Sequence, residues 1–130
     1  MRIGRLRHGL LALAIAAMAP AEAAADGPAT SAPRAPEAFQ ACAECHEVNP
    51  AAPPGIGPSL YGVVGRRAGS LPGYAYSPAL RQSGIVWSRA ELERFMQDPA
   101  AAAPGTMMPA PEALSAADRE AISAYLAALR

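Results

Sequence analysis

The sequence predicts an all-α domain in which a few short helices are joined by long ordered loops. Two segments in its C-terminal half, residues 88–98 and 115–129, carry apolar side chains at helical spacing behind an N-capping serine. No run of alternating apolar and polar residues is long enough for a β-strand. The remaining segments are rich in proline and glycine, and long loops are uncommon in a small domain unless something holds them. We therefore expect a buried group at the centre of the fold.

The first 25 residues have the pattern of an export signal. Arg2, Arg5 and Arg7 precede an apolar run at residues 10–18, and small residues around Ala23 offer cleavage sites. The alternative is an uncleaved membrane anchor, but the apolar run is short for a membrane span. The pattern predicts a cleaved signal peptide and a periplasmic protein.

The signal is followed by a leader and one domain. Residues 26–36 are mostly alanine, proline, serine and threonine and predict a flexible leader, and residues 37–130 form the predicted domain. The chain has no lysine, and beyond residue 25 its acidic residues slightly outnumber its arginines. The sequence has no basic patch of the kind that would indicate nucleic-acid binding. Only two cysteines are present, which excludes a disulfide framework.

The motif Cys42-Ala43-Glu44-Cys45-His46 carries the clearest chemical signal. Two thiols three positions apart on one turn can each add to a vinyl group of one haem, and the histidine after them can bind the iron. A structural zinc site needs four ligands, and a thioredoxin-like pair needs a βαβ pattern; neither is present. A simple disulfide would leave His46 without a role. The motif predicts covalent haem attachment.

The first half of the domain should contain one short helix and several loops. Pro36 can occupy the first turn of a helix over residues 37–45. Four prolines and two glycines predict a loop at residues 49–58. We expect a short apolar turn or helix at residues 59–65. Residues 77–83 should form a brief helix that ends at Gly84, and the segment between these two is rich in turn residues.

Two better helices follow. Ser88-Arg89-Ala90-Glu91 is a capping-box sequence, and the helix after it should stop at Asp98-Pro99. Its apolar face is formed by Leu92, Phe95 and Met96. Ser115 and Asp118 open the last helix, whose apolar positions recur at helical spacing: Ile122, Tyr125, Leu126 and Leu129.

Composition restricts the second axial ligand of a haem iron. Once His8 is removed with the signal, neither a second histidine nor a lysine is available, so methionine is the remaining soft ligand. Met96 shares a helix face with apolar neighbours, which favours core packing. Met107 and Met108 lie in a proline-bracketed loop that can hold a thioether in place.

From about Phe39 to Leu129 the chain resembles class I cytochrome c, the mitochondrial-type monohaem family, and is identified as an exported bacterial member. The matches, in chain order, are the Cys-x-x-Cys-His motif and residues 57–60, 62–66, 72–76, 84–87 and 104–108. The resemblance implies the small cytochrome c fold, with helices and long loops around one covalently bound haem.

The resemblance also implies roles for individual residues. Cys42 and Cys45 would form the thioether bonds of one haem c, and His46 and Met108 would be the axial ligands of its iron. The carbonyl of Pro58 would accept a hydrogen bond from the His46 imidazole. Three further residues would lie near the haem propionates: Arg66, Tyr76 and Trp87.

The chain departs from the family at several points. Phe95 stands where many members have a tyrosine that reaches the methionine sulfur, and Leu80 replaces a common asparagine. Both changes should make the haem pocket drier. The lysine ring that mitochondrial members use for docking is absent. The identity of the redox partner therefore does not follow from the resemblance.

The resemblance implies a monomeric one-electron carrier rather than an enzyme, working by outer-sphere transfer in a periplasmic electron-transport chain. Its partners would be transient redox proteins, such as periplasmic or membrane-bound respiratory or dehydrogenase complexes, with no nucleic acid and no small-molecule substrate.

A haem subunit permanently docked on a periplasmic dehydrogenase is an alternative with the same core. A peroxidase-like haem enzyme would need an open sixth site and a distal acid-base residue, and the chain lacks a distal histidine. A last alternative is a protein that exchanges thiols without a metal. This function would not explain the residues that support haem binding.

Overall fold

The computed structural model describes residues 32–130. The predicted signal peptide and most of the predicted leader lie outside this range. The described chain contains a 3₁₀ turn at Glu37–Phe39 and five α-helices: α1 Gln40–Ala43, α2 Pro78–Gln82, α3 Arg89–Gln97, α4 Pro99–Ala102 and α5 Ala116–Ala128. Within this part of the chain there is no β-strand, only an isolated antiparallel bridge between Arg67 and Val86. The all-α prediction is confirmed.

Serine side chains begin three of the helices. The hydroxyl of Ser77 accepts a hydrogen bond from the Leu80 amide ahead of α2, and that of Ser88 accepts from the Glu91 amide ahead of α3. Ser115 and Asp118 form a complete, reciprocal capping box at α5. At α3 the box is not reciprocal, because the Glu91 carboxylate pairs with Arg94 at 2.6 Å.

The first half of the domain is less helical than the sequence predicts. The predicted helix over residues 37–45 is a 3₁₀ turn followed by the single turn of α1, which ends at Ala43. Residues 59–65 form turns, which is one of the two predicted alternatives. Gly62 and Gly65 both adopt positive φ there, a conformation incompatible with a right-handed helix.

Helix α4 was not predicted. Helix α3 ends at Gln97, as expected, but the chain turns at Asp98 and immediately begins another short helix. The Asp98 carboxylate accepts a hydrogen bond from the Ala101 amide at 2.9 Å, and Pro99 occupies the first helical position, where its missing N–H costs nothing. The two residues that stop α3 also start α4.

The core lies mainly between α3 and α5. Ile122 and Leu126 of α5 are fully or almost fully buried and pack in one apolar cluster with residues of α3. Tyr125 also contacts Phe39 edge-to-face at 5.0 Å between ring centroids. The last helix therefore packs against both α3 and the N-terminal turn, which fixes the place of the Cys-x-x-Cys-His motif that follows that turn.

Truncation of Leu126 tests this packing. Because its side chain is 2% exposed, we expect Leu126→Ala to lower the free energy of unfolding by about 2–5 kcal/mol through lost burial and the cavity left behind. Glu120→Ala, an exposed change on the same helix, should alter it by less than about 0.5 kcal/mol. Denaturant unfolding of the haem-loaded protein measures both. Equal effects would contradict this assignment of the buried face.

Candidate functional site

The two cysteines flank the end of α1. Cys42 is buried and Cys45 is half-buried, and both are free thiols. The amides of Cys45 and His46 both donate to the Cys42 carbonyl, at 3.1 and 2.9 Å, so the motif closes as a single turn. Burial raises the pKa of the Cys42 thiol.

The His46 imidazole is held by a backbone carbonyl. Its Nδ1 lies 2.8 Å from the carbonyl oxygen of Pro58. A carbonyl oxygen can only accept, so Nδ1 carries the proton and donates it. In the neutral imidazole the other ring nitrogen, Nε2, is then unprotonated and free to bind a metal.

Gly57 packs directly against the same imidazole. A Cβ atom at this position would lie 2.6 Å from Cε1 and 2.7 Å from Nδ1 of His46, closer than real carbon contacts allow. The Gly57 amide also donates to the Cys45 carbonyl at 2.7 Å. The loop backbone therefore covers one edge of the ring, and residue 57 must be glycine for it to do so.

Arg66 fixes the loop that continues from Pro58. Its guanidinium donates to the carbonyl oxygens of Ser59 at 2.6 Å and Tyr61 at 3.2 Å. Burial lowers the pKa of Arg66, and the nearby Tyr76 acts in the opposite direction. The side chain keeps its charge, since arginine is not deprotonated in proteins, and so supplies a half-buried positive group beside this loop.

Arg66 lies close to both Trp87 and Tyr76 in the fold. The Trp87 amide donates to the Arg66 carbonyl at 2.9 Å, and the Gly65 amide donates to the Trp87 carbonyl at 2.7 Å. The buried Trp87 ring contacts Phe95 edge-to-face at 5.1 Å. Tyr76 is also buried; burial raises the pKa of its hydroxyl, while Arg66 and the Leu71 backbone lower it.

The three methionines of the described chain occupy different environments. Met96 is buried in the core on α3, as its helical spacing predicts. Met107 is 69% exposed, whereas Met108 is half-buried and packs against the core cluster. The Met108 amide donates to the Thr106 hydroxyl at 3.3 Å, and Gly105 provides the positive φ that the loop needs. Of the two loop methionines, only Met108 turns inward.

Comparison with known proteins identifies the family. The family model described as cytochrome c matches residues 32–130. The chain belongs to the cytochrome c family. It is 42% identical over 91 residues to cytochrome c2 of Rhodomicrobium vannielii, covering 70% of this chain and 73% of that protein. For cytochrome c2 of Rhodoblastus acidophilus the identity is 44% over 88 residues, covering 68% and 82%.

A solved structure gives the same family. Cytochrome cH from Methylobacterium extorquens superposes with a TM-score of 0.63 at 41% sequence identity, covering 69% of this chain and 90% of that one. The predicted cytochrome c fold is therefore confirmed. Membership of the family implies a covalently bound haem c and an electron carrier rather than an enzyme, as predicted. Among the described residues, no helix is both long and apolar enough to cross a membrane.

Some contacts of the site were not foreseen from the cytochrome c pattern. The resemblance implies that Arg66 lies near a propionate, and the structure adds that its guanidinium donates to the backbone carbonyls of Ser59 and Tyr61. The contact between Gly57 and His46 was also missed. The signal for it was the glycine directly before Pro58, because a glycine there lets the backbone approach a ring.

Adding a methyl group at Gly57 tests the contact with the imidazole. We expect Gly57→Ala to lower the free energy of unfolding by about 1–3 kcal/mol, because the ring or the loop must move to make room. Gly55→Ala is the matched control: its Cβ would meet only the Cys45 carbonyl oxygen, at an ordinary 3.5 Å. Thermal unfolding and the reduction potential of the two variants measure the difference. If both variants behave alike, the close approach at Gly57 is not a constraint.

Proposed function

We propose that this protein is a periplasmic one-electron carrier that holds a single haem c through Cys42 and Cys45, with His46 and Met108 as axial ligands. The observation that carries the proposal is the His46 imidazole, held by Pro58 with Nε2 free, on the same turn as two reduced thiols. The family supplies the haem and the electron-carrier function. The assignment of His46 and Met108 as the ligand pair goes beyond what the family supplies.

The residues of the site fit this cofactor. The bound haem supplies an iron that exchanges one electron between its ferric and ferrous states. His46 would bind through Nε2, while the Nδ1 hydrogen bond to Pro58 fixes the ring orientation. Met108 offers the inward-facing sulfur, and a thioether ligand favours the ferrous state and so raises the reduction potential. With His46 and Met108 both bound to it, the iron would have no position left for a substrate.

The polar residues beside the site have a matching role. The carboxylates of a haem are costly to bury unless they are paired. Arg66 is already held in place by two carbonyl oxygens, and its remaining N–H groups, together with Tyr76 and Trp87, are available donors for a propionate. Their proximity in the fold supports the assignment made from the sequence.

We assign the first 25 residues as a cleaved export signal, residues 26–36 as a leader and residues 37–130 as the cytochrome domain. Attachment of haem to reduced thiols after export is consistent with this order. The partners are transient redox proteins that accept or supply one electron to a monomeric carrier. Since the chain has no lysine, partner recognition does not use a lysine ring.

Covalent attachment is tested by extraction. Because each proposed thioether bond is covalent, the haem of the mature protein should survive denaturation and acid-acetone extraction. Cys45→Ala should leave one bond and retain the haem, while the double change with Cys42→Ala should release it. Absorbance of the extracted protein after electrophoresis measures attachment. Recovery of unmodified protein with two free thiols from a strain that matures cytochromes would contradict the proposal.

The ligand assignment is tested at the adjacent methionines. Met107→Leu should leave the visible and near-infrared spectra nearly native, because the Met107 side chain faces solvent. Met108→Leu should abolish the sulfur-to-iron band, lower the reduction potential and allow azide or cyanide to bind, since no lysine or second histidine remains in the mature chain to replace the sulfur.

The opposite pattern at the two methionines would exclude Met108 as the ligand. Rapid binding of azide or peroxide by the unmodified protein would contradict the carrier function and favour a peroxidase-like enzyme.

A further inference from the structure

The loop that covers the His46 ring has few contacts of its own. Residues 50–57 contain no helix, and their internal support is a local turn in which the Ala52 amide donates to the Asn49 carbonyl. The Ile56 side chain is 78% exposed, so burial does not hold this part of the loop. The hydrogen bond from the Gly57 amide to the Cys45 carbonyl holds one end of the backbone that lies against the imidazole, and a second interaction is needed to hold the rest.

Tyr74 provides that interaction. Its hydroxyl donates to the Ile56 carbonyl at 2.8 Å. Among the described residues, no other side-chain hydrogen bond joins residues 50–57 to a distant segment. The Tyr74 ring is supported by an edge-to-face contact with Tyr76, 4.8 Å between centroids, and Tyr76 is itself buried. The donor ring is therefore supported by a buried side chain.

The Ile56–Gly57 peptide group is fixed at both ends. Its carbonyl accepts from Tyr74, and its N–H donates to the Cys45 carbonyl at 2.7 Å. A peptide group is planar, so two hydrogen bonds at its opposite ends determine its orientation. The next atom along the chain, the Gly57 Cα, packs on the His46 ring. One residue further, the Pro58 carbonyl accepts from Nδ1.

We propose that Tyr74 is a positioning residue that orients the His46 imidazole through the Ile56–Gly57 peptide group. The inference rests on the proposed role of His46 as an iron ligand. A short Nδ1–H···O bond makes the imidazole a more electron-rich ligand, which favours ferric iron. Without the Tyr74 hydroxyl the peptide gains freedom, the bond to Pro58 weakens, and the reduction potential rises.

The test is Tyr74→Phe in the haem-loaded protein, which removes only the hydroxyl. Tyr125→Phe is the matched control, because Tyr125 packs its ring on Phe39 at the other side of the motif. NMR hydrogen exchange in the reduced protein follows the Gly57 amide and the Nδ1 proton of His46. Loss of one hydrogen bond should speed both by roughly three- to tenfold in Tyr74→Phe, with no such change in the control. The reduction potential should rise in Tyr74→Phe only.

Two results would overturn the proposal. Unchanged exchange at Gly57 and His46 in Tyr74→Phe would show that the hydroxyl does not hold the loop. Equal changes in potential for Tyr74→Phe and Tyr125→Phe would show a general loss of stability instead of positioning. Failure of the proposed ligand role is a separate result, because it would appear in the spectrum of the unmodified protein, whereas the exchange rates report on the loop directly.

Discussion

The hydrogen bond from the His46 imidazole to the Pro58 carbonyl is the constraint on which the rest of the site depends. It determines which ring nitrogen is free, and it requires the loop after the motif to return to the ring. That return explains the glycine at position 57 and the backbone bond from its amide to Cys45. It also explains why Arg66 is used to hold the next carbonyls of the same loop.

The helices stabilise this arrangement from the other side. Helix α5 packs against both α3 and the turn that leads into α1, so the motif is attached to the most deeply buried part of the chain. Between α3 and α5, the buried hydroxyl of Ser123 donates to Glu93 and accepts from Arg89. A buried polar group needs such partners, and these also favour one alignment of the two helices over others.

Local signals account for what the sequence could predict. Helices α3 and α5 were foreseen because a capping serine and a spaced apolar face lie within the segment itself. The Cys-x-x-Cys-His motif is equally local. Helix α4 was missed because Asp98-Pro99 is a stop for one helix and a start for another, and only the fold shows that the chain uses both functions.

The contacts around the imidazole were missed for a different reason. Gly57 on His46 and Tyr74 on Ile56 join segments that are far apart along the chain, so no spacing rule reveals them. Met108 is a different case, because the resemblance to cytochrome c already distinguishes it from Met107. In the fold, Met108 packs against the core cluster, whereas Met107 is exposed.

The different exposure of these two methionines has a consequence for oxidative damage. Conversion of a methionine to its sulfoxide adds a polar oxygen and proceeds most readily where the sulfur meets water. At Met107 the new oxygen would enter solvent that already surrounds the side chain, so the core would lose nothing. At Met108 it would have to enter an apolar cluster. An oxidant that reaches this loop therefore meets the exposed sulfur of Met107 first, where oxidation does not disturb the core. The sulfur of Met108 is shielded by its packing.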